Sequence, residues 1–217
     1  MTDFKNNPFS CNRVDIKVSP ENPGLATISG VLFNKKDKRL ICYPGNETTY
    51  SVPNGIKAIG NGAFSECTEL VSVELPETVT SIGEKAFYDC YELTEINLPE
   101  GIDTISDFAF SFCGKLNGIE LPETVIRIGD YAFNSCSSIT SMELPEGLVG
   151  IGEGAFSGCY ELESLTGPDS VTDIGEYAFD GQGDMTVMVT KGSYAAQYCK
   201  ENNIQYTYPD ADNWLNG

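Results

Sequence analysis

The stretch that decides the fold is residues 75–97, LPETVTSIGEKAFYDCYELTEIN, because its pattern recurs along most of the chain. An alanine–phenylalanine pair returns every 23 residues, and a proline, an isoleucine and a cysteine keep the same step. The phenylalanines are Phe64, Phe87, Phe110, Phe133, Phe156 and Phe179, and the cysteines are Cys67, Cys90, Cys113, Cys136 and Cys159. Several ladders in one register indicate a stack of similar units.

Each unit combines a strand with turns. The segment Leu93-Thr-Glu-Ile96-Asn-Leu98 ends in apolar–polar alternation, which predicts a half-buried strand, and Pro99 then ends that strand. A short apolar pair ending at Ile82 precedes Gly83, where the sequence predicts a turn. Residues 84–87, Glu-Lys-Ala-Phe, predict a single helical or 3₁₀ turn.

Stacking explains why so short a unit is stable. A lone unit cannot bury its apolar stripe, whereas neighbouring units cover each other. Strands that recur in one direction form a parallel sheet with about 4.8 Å between coils, so six coils extend for about 25–30 Å.

The unit [IV]-x-x-I-G-x-x-A-F-x-x-C-x-x-L-x-x-[IV]-x-L-P resembles the BspA-like leucine-rich repeat of bacterial surface proteins, and residues 52–189 carry six copies. In the last copy Gln182 replaces the cysteine. The resemblance implies a leucine-rich repeat solenoid, in which a parallel β-sheet alternates with short helical or 3₁₀ turns. It also implies an N-terminal β-hairpin insert, a C-terminal helical cap and a role in protein–protein contact.

Three parts follow from this pattern. Residues 1–51 contain a degenerate repeat at residues 7–11 and a hairpin around the polar turn at residues 35–38. Residues 52–189 hold the six repeats. Residues 190–217 form the cap, with a helix that Ser193 N-caps, a last strand at residues 204–208 and a loose tail. A chain that starts within a solenoid is expected to be a fragment or a short family member.

Composition excludes several functions. Thirteen basic and 32 acidic residues give a net charge of −19, which argues against nucleic acid as a partner. The chain has no histidine, and no catalytic motif pairs a nucleophile with a base, so we expect neither an enzyme nor a cofactor or metal site.

The ladder cysteines are expected to be small buried groups, since five side chains that point the same way cannot all pair. The pairing of Cys11, Cys42 and Cys199 stays open. Acidic residues form two further columns, expected to be solvated turn residues, with weak calcium or basic-partner binding as the alternative. One column is Glu77, Glu100, Glu123, Glu146 and Asp169, and the other is Glu84, Asp107, Asp130, Glu153 and Glu176.

The candidate partner-binding surface is the inner face of the strands. Alternation exposes two columns there, and the candidate residues are Ser72, Glu74, Glu95, Asn97, Glu120, Ser141, Glu143, Ser164 and Thr166. The resemblance implies an unidentified protein partner, such as a host matrix or surface protein, bound in adhesion. Because the face has no aromatic residue, a passive spacer that carries another domain is the alternative.

Localisation depends on the gene. The N-terminus has no signal-peptide core, and no apolar run approaches about 18 residues, so we expect no membrane insertion. The resemblance implies secretion or cell-surface display if the full-length gene encodes a signal peptide, and a cytoplasmic location otherwise.

Overall fold

The computed structural model describes residues 7, 15–45, 47–181 and 185–209. The described chain forms, in order, β1 (Leu25–Ile28), β2 (Val31–Asn34), β3 (Arg39–Cys42), β4 (Thr49–Ser51), β5 (Ala58–Ile59), β6 (Ser72–Glu74), β7 (Ser81–Ile82), β8 (Glu95–Ile96), β9 (Thr104–Ile105), β10 (Arg127–Ile128), β11 (Ser141–Glu143), β12 (Gly150–Ile151), β13 (Ser164–Thr166), β14 (Asp173–Ile174), β15 (Thr186–Met188), α1 (Tyr194–Glu201) and β16 (Gln205–Thr207). Apart from Asn7, the predicted repeat at residues 7–11 lies outside the described residues, as does the tail from residue 210.

The chain winds as a parallel β-solenoid, as the repeat predicts. The predicted strands pair in two sheets, β4-β6-β8 and β11-β13-β15-β16. Their register repeats the sequence period, since Ser72 lies opposite Glu95 and Ser141 lies opposite Ser164. Each coil therefore sits directly on the equivalent residues of the next coil.

A second parallel ladder was not expected. The isoleucine of each coil lies in a two-residue strand. These six strands join β1, β2 and β3 in a nine-stranded sheet of the order β1-β2-β3-β5-β7-β9-β10-β12-β14. Ile59 pairs with Ile82, which pairs with Ile105, and the series continues to Ile174. Two residues are too few to show alternation, so the sequence predicted only an apolar pair before a turn.

The segment after each isoleucine is an array of hydrogen-bonded turns. The amides of Ala86 and Tyr88 donate to Gly83 and Lys85, three residues back, as in a 3₁₀ turn. The amides between them point to the next coil instead, and the Phe87 amide donates to the Ala109 carbonyl at 2.8 Å. This alternation prevents a continuous helix from forming.

The array requires left-handed backbone at two positions of every coil. One column is Gly62, Lys85, Phe108, Tyr131, Gly154 and Tyr177, and the other is Glu66, Asp89, Phe112, Ser135, Gly158 and Gly181; φ lies between 55° and 78° throughout. A bulky side chain in this conformation costs about 1–2 kcal/mol, and the hydrogen bonds to the next coil offset that cost.

The core is a column of stacked phenylalanine rings. From Phe64 to Phe179 the successive ring centroids lie 4.9 to 5.7 Å apart, with planes within 12° of parallel. Tyr43 covers the first ring at 5.1 Å, and Tyr198 meets the last ring edge-on at 6.1 Å. Aromatic contacts therefore run unbroken from the N-terminal segment to the cap.

The hairpin covers the first coil. Strands β2 and β3 are antiparallel, as predicted, and β3 continues the solenoid because Leu40 pairs with Ile59 in parallel. The structure adds β1, an unpredicted strand antiparallel to β2.

The cap helix covers the last coil. The predicted N-cap is confirmed, since the Ser193 hydroxyl accepts the Ala196 amide at 3.2 Å. The predicted last strand is present as β16, which pairs with β15. Ala195, Ala196 and Cys199 are the buried residues of this helix, whereas the Tyr194 side chain is 44% exposed.

One apolar cluster extends from Val31 to Cys199. It includes residues of the hairpin, of the repeats and of the cap helix. The division at residues 51 and 189 stays a prediction.

The phenylalanine column makes a clear stability prediction. Phe110 has no exposed surface and stacks on rings on both sides. Phe110→Ala should therefore lower the free energy of unfolding by about 3–5 kcal/mol, measured by urea denaturation. Tyr160→Ala is the matched control, because that ring is 68% exposed. Equal small losses in both variants would show that the rings do not form the core.

Candidate partner-binding face

The strand face is the surface formed by the outward side chains of β4, β6, β8, β11, β13, β15 and β16. In β6 the Val73 side chain is buried, while Ser72 is half-buried and Glu74 is exposed. The other candidate residues, Glu95, Asn97, Glu120, Ser141, Glu143, Ser164 and Thr166, are all exposed. The candidates thus lie on one face, and their role in binding stays a prediction.

The face is divided between the third and the fourth repeat. Glu95 forms a single bridge to Gly118, and among the described residues no strand pairing connects Gly118 to β11. Glycine weakens a strand because it has no side chain to pack and loses more backbone entropy on ordering. The two halves of the face are therefore separate patches that meet near Glu120.

A shallow cleft of about 700 Å³ lies over the first patch. Its lining brings together the carboxylates of Glu74, Glu95 and Glu120, with Ile96 and Leu98 below them. Glu74 accepts a hydrogen bond from the Ser51 hydroxyl at 2.9 Å. Within the described residues, Glu95 and Glu120 form no hydrogen bond or ion pair through their carboxylates and can meet a partner.

Asn97 has a structural role that the sequence did not reveal. Its Nδ2 donates to the Leu75 carbonyl and its Oδ1 accepts the Leu75 amide, both at 2.8 Å. The side-chain amide thus replaces backbone pairing between coils. Asn97 is exposed, but its polar groups are already bonded.

The strand face is acidic because the repeats contain many acidic and few basic residues. Residues 52–189 contain 24 acidic and four basic residues, and none of the four is a candidate face residue. Lys115, on the neighbouring turn, is neutralised by Glu92 at 2.7 Å. Residues 1–51 instead hold seven basic and five acidic residues. The face therefore offers negative potential to a basic partner.

The two acidic columns differ in structure. The column from Glu77 to Asp169 is exposed throughout, as expected for solvated turn residues. Two residues of the other column also bond to the backbone of the next coil, since Asp107 accepts the Asp130 amide and Asp130 accepts the Glu153 amide, each at 2.9 Å. Asn61 does the same for the Glu84 amide. Asn and Asp at this position indicate such a hydrogen bond, since their short side chains reach the backbone of the next coil.

Four of the ladder cysteines are free and fully buried, as predicted. Each Sγ donates to the phenylalanine carbonyl of the preceding coil, as Cys113 does to Phe87 at 3.1 Å. Burial raises the pKa of the Cys113 thiol well above its usual value, so it is a poor nucleophile.

The remaining cysteines differ. Cys67 is buried, as predicted, but it is disulfide-bonded, which the ladder did not indicate. As the first member of the ladder it lies in the coil that Asn7 contacts, where Asn7 donates to the Asn61 and Gly62 carbonyls. Cys42 and Cys199 are free and buried, and Cys11 lies outside the described residues.

The described residues contain neither a candidate metal-binding cluster nor a membrane-spanning helix. The described part of the chain holds no group of three or more His, Cys, Asp or Glu side chains that could bind a metal ion. Within the same ranges, no helix has the length and apolar character needed to cross a bilayer.

A family model described as a BspA type leucine rich repeat region matches residues 40–125 and 104–206, with six copies. The chain therefore belongs to the BspA-type leucine-rich repeat family, and its solenoid is a leucine-rich repeat fold. Proteins of this repeat class generally mediate protein–protein interaction, and the fold is typically a non-catalytic scaffold.

Solved structures of bacterial proteins share the fold. A leucine rich cell surface protein from Faecalibacterium prausnitzii A2-165 is 30% identical with a TM-score of 0.62, over 72% of this chain and 40% of that chain. Pneumococcal vaccine antigen PcpA is 22% identical with a TM-score of 0.69, over 88% and 49%. A leucine-rich repeat protein from Eubacterium ventriosum ATCC 27560 is 24% identical with a TM-score of 0.63, over 81% and 53%.

The chain spans about half the length of these structures or less. No curated protein shows a significant match to the sequence.

The aspartate contacts predict unequal effects of two substitutions. Asp130→Ala removes the acceptor for the Glu153 amide and should lower stability by about 1 kcal/mol, whereas Asp130→Asn keeps the acceptor and relieves repulsion, so stability should hold or rise. Thermal melting compares the two variants, with Glu123→Gln, in the exposed column, as a control of little effect. Equal melting temperatures for the alanine and asparagine variants would show that this hydrogen bond does not contribute.

The buried thiols predict a loss of stability at alkaline pH. Burial raises the pKa of Cys159 from the usual 9.0 to about 12, so the folded protein keeps a proton that the unfolded chain releases. The stabilisation is complete below pH 9 and is lost as the pH rises towards 12. Near pH 10.5 one such thiol should cost about 2 kcal/mol.

Urea denaturation at pH 8 and pH 10.5 measures this loss. Cys159→Ala should lose less stability over that interval than the wild type, because it lacks one titrating thiol. The same pH dependence in both proteins would contradict the assignment.

Proposed function

We propose that this chain is a non-catalytic interaction module whose strand face binds a basic segment of a protein partner. The observation that carries the proposal is the strand face itself, where Glu95, Glu120 and Glu143 are exposed and no basic residue accompanies them. Electrostatic complementarity of this kind guides association and selects the partner.

The absence of a catalytic inventory supports a binding role. The chain has no histidine, and the free ladder thiols are buried with raised pKa values. The exposed carboxylates lie in open columns, where water screens them, whereas acid–base catalysis usually places its carboxylates in a more enclosed site.

We further propose that the module works at a bacterial cell surface, in adhesion or in contact with a host protein. The relative from Faecalibacterium prausnitzii is described as a cell surface protein. The match covers 40% of that relative, so a surface role for the whole protein that contains this module is part of what we propose.

A passive spacer is the second candidate. It is favoured by the composition of the strand face, whose candidate residues include no tryptophan, tyrosine or arginine, the side chains that dominate binding hot spots. The unbroken phenylalanine column gives the chain the stiffness that a spacer needs.

Two triple variants with the same change in net charge test the binding role. Glu95→Gln/Glu120→Gln/Glu143→Gln alters the strand face, and Glu77→Gln/Glu100→Gln/Glu123→Gln alters the exposed acidic column. Surface plasmon resonance measures the binding of each variant to decalysine and to a panel of purified basic extracellular-matrix proteins.

The strand-face variant should bind at least about tenfold more weakly, the control within about twofold of wild type, and affinity should fall with salt. Equal losses in both variants would mean unspecific attraction to net charge. An absence of binding to every probe would favour the spacer.

A further inference from the structure

A cleft of about 510 Å³ lies at the opposite end of the molecule from the hairpin, between the last repeat and the cap helix α1. It is separate from the strand face, and none of the candidate residues lines it. Its lining is Ile174, Glu176, Tyr177, Phe179, Asp180, Tyr194, Tyr198, Glu201, Asn202 and Ile204.

The floor of the cleft is apolar and its walls are fixed. Ile174 and Phe179 are buried members of the core, and Ile204 packs against them. The Tyr198 hydroxyl donates to the Gly175 carbonyl at 3.0 Å, which ties α1 to the last coil. This hydrogen bond therefore connects the two sides of the cleft directly.

Two tyrosine side chains on the walls of the cleft are exposed to solvent. Tyr177 is 62% exposed and Tyr194 is 44% exposed, and within the described residues neither ring stacks on another aromatic ring. By contrast, Phe108 and Tyr131, in the same left-handed column as Tyr177, stack on each other at 5.1 Å. Tyr177 thus offers a ring face that its counterparts use for packing.

The backbone at Tyr177 is left-handed, with φ at +58°, like the other members of its column. The equivalent residue is glycine in two other coils, Gly62 and Gly154, and glycine adopts this conformation without strain. The turn therefore forms without a side chain at this position, and the Tyr177 ring is not needed to build it.

The charged residues on the rim of the cleft are all acidic. Glu176, Asp180 and Glu201 are exposed, and no lysine or arginine is among the lining residues. The Glu201 carboxylate accepts a hydrogen bond from the Gln197 side chain at 2.8 Å. Because the Gln197 amide is neutral, the negative charge of Glu201 is not compensated. The site attracts cations and repels phosphates, carboxylates and acidic sugars.

The molecule already contains a contact of the kind such a site would form. Lys85 places its Nζ 5.0 Å from the centre of the Phe108 ring, in the same column of turns that carries Tyr177. A ring of this column thus has its face turned towards a cation, which aromatic faces attract.

We propose that this cleft binds an arginine side chain of an extended partner peptide. The methylene stem would lie on the apolar floor, while the planar guanidinium stacks on Tyr177 and donates to the rim carboxylates. Arginine fits better than lysine because its fork of donors matches a carboxylate and its plane matches an aromatic face. A cleft of 510 Å³ admits a side chain with its flanking backbone.

The test uses the full chain and three tetrapeptides, tetra-arginine, tetralysine and tetracitrulline, with binding followed by amide chemical shifts in NMR. Citrulline keeps the shape of arginine and removes the charge. Tetra-arginine should shift the amide signals of Gly175 and Ile204, which flank the cleft, and should bind at least tenfold more tightly than tetracitrulline and about threefold more tightly than tetralysine.

Two variants connect that binding to the cleft. Tyr177→Gly should weaken tetra-arginine binding at least fivefold without lowering stability, because glycine suits the left-handed backbone. Glu176→Gln should weaken binding at least threefold, and its matched control is Glu161→Gln, a substitution of the same charge at an exposed residue outside the cleft.

The outcomes separate this site from the strand face. The strand-face triple variant should keep tetra-arginine binding at the cleft, whatever becomes of decalysine binding. Equal affinity for tetracitrulline, wild-type binding by Tyr177→Gly, or shifts confined to the strand face would each overturn the proposal. An uncharged probe that binds as tightly would indicate a site for neutral ligands.

Discussion

Each side chain of the repeat lies directly over its own counterpart in the next coil, and the rest of the structure depends on this constraint. A residue type is stable in the repeat only if it can stack on itself. Phenylalanine does so well, with rings 4.9 to 5.7 Å apart and nearly parallel. Cysteine does so because a small thiol fits each coil and donates to the carbonyl of the preceding coil. Carboxylates do so only where water screens them or where a backbone amide lies within reach.

The same constraint explains why the chain is both acidic and stable. Acidic columns are confined to the strand face and the turns, away from the core cluster. Asp107 and Asp130 reduce the repulsion further, since each carboxylate accepts an amide of the next coil. The repeat therefore multiplies charge on its surface without placing any charge in its interior.

Much of this architecture was predictable, because the fixed 23-residue period shows directly which residues of successive coils lie opposite each other. The phenylalanine ladder predicts the core, the alternation at residues 93–98 predicts the strand face, and Ser193 predicts the start of α1. The second sheet was not predictable, since a two-residue strand such as Ser81–Ile82 shows no period of its own. The division at Gly118 depends on pairing that one glycine weakens, and the sequence does not give its extent. The cleft was missed because Tyr177 and Tyr194 come from different elements and meet only when α1 docks on the last coil.

The register of the coils also determines which insertions and deletions in the gene preserve the solenoid. Hydrogen bonds, rings and thiols all connect a residue of one coil to a fixed position in a neighbouring coil, and the isoleucines from Ile59 to Ile174 pair with their own equivalents. Recombination between two equivalent codons removes or adds one whole coil, and every ladder rejoins across the new junction. A deletion of any other length leaves unlike residues stacked and breaks all the ladders at once. The length of the solenoid is therefore free to vary in whole repeats, while the hairpin and the cap keep the surfaces on which they dock.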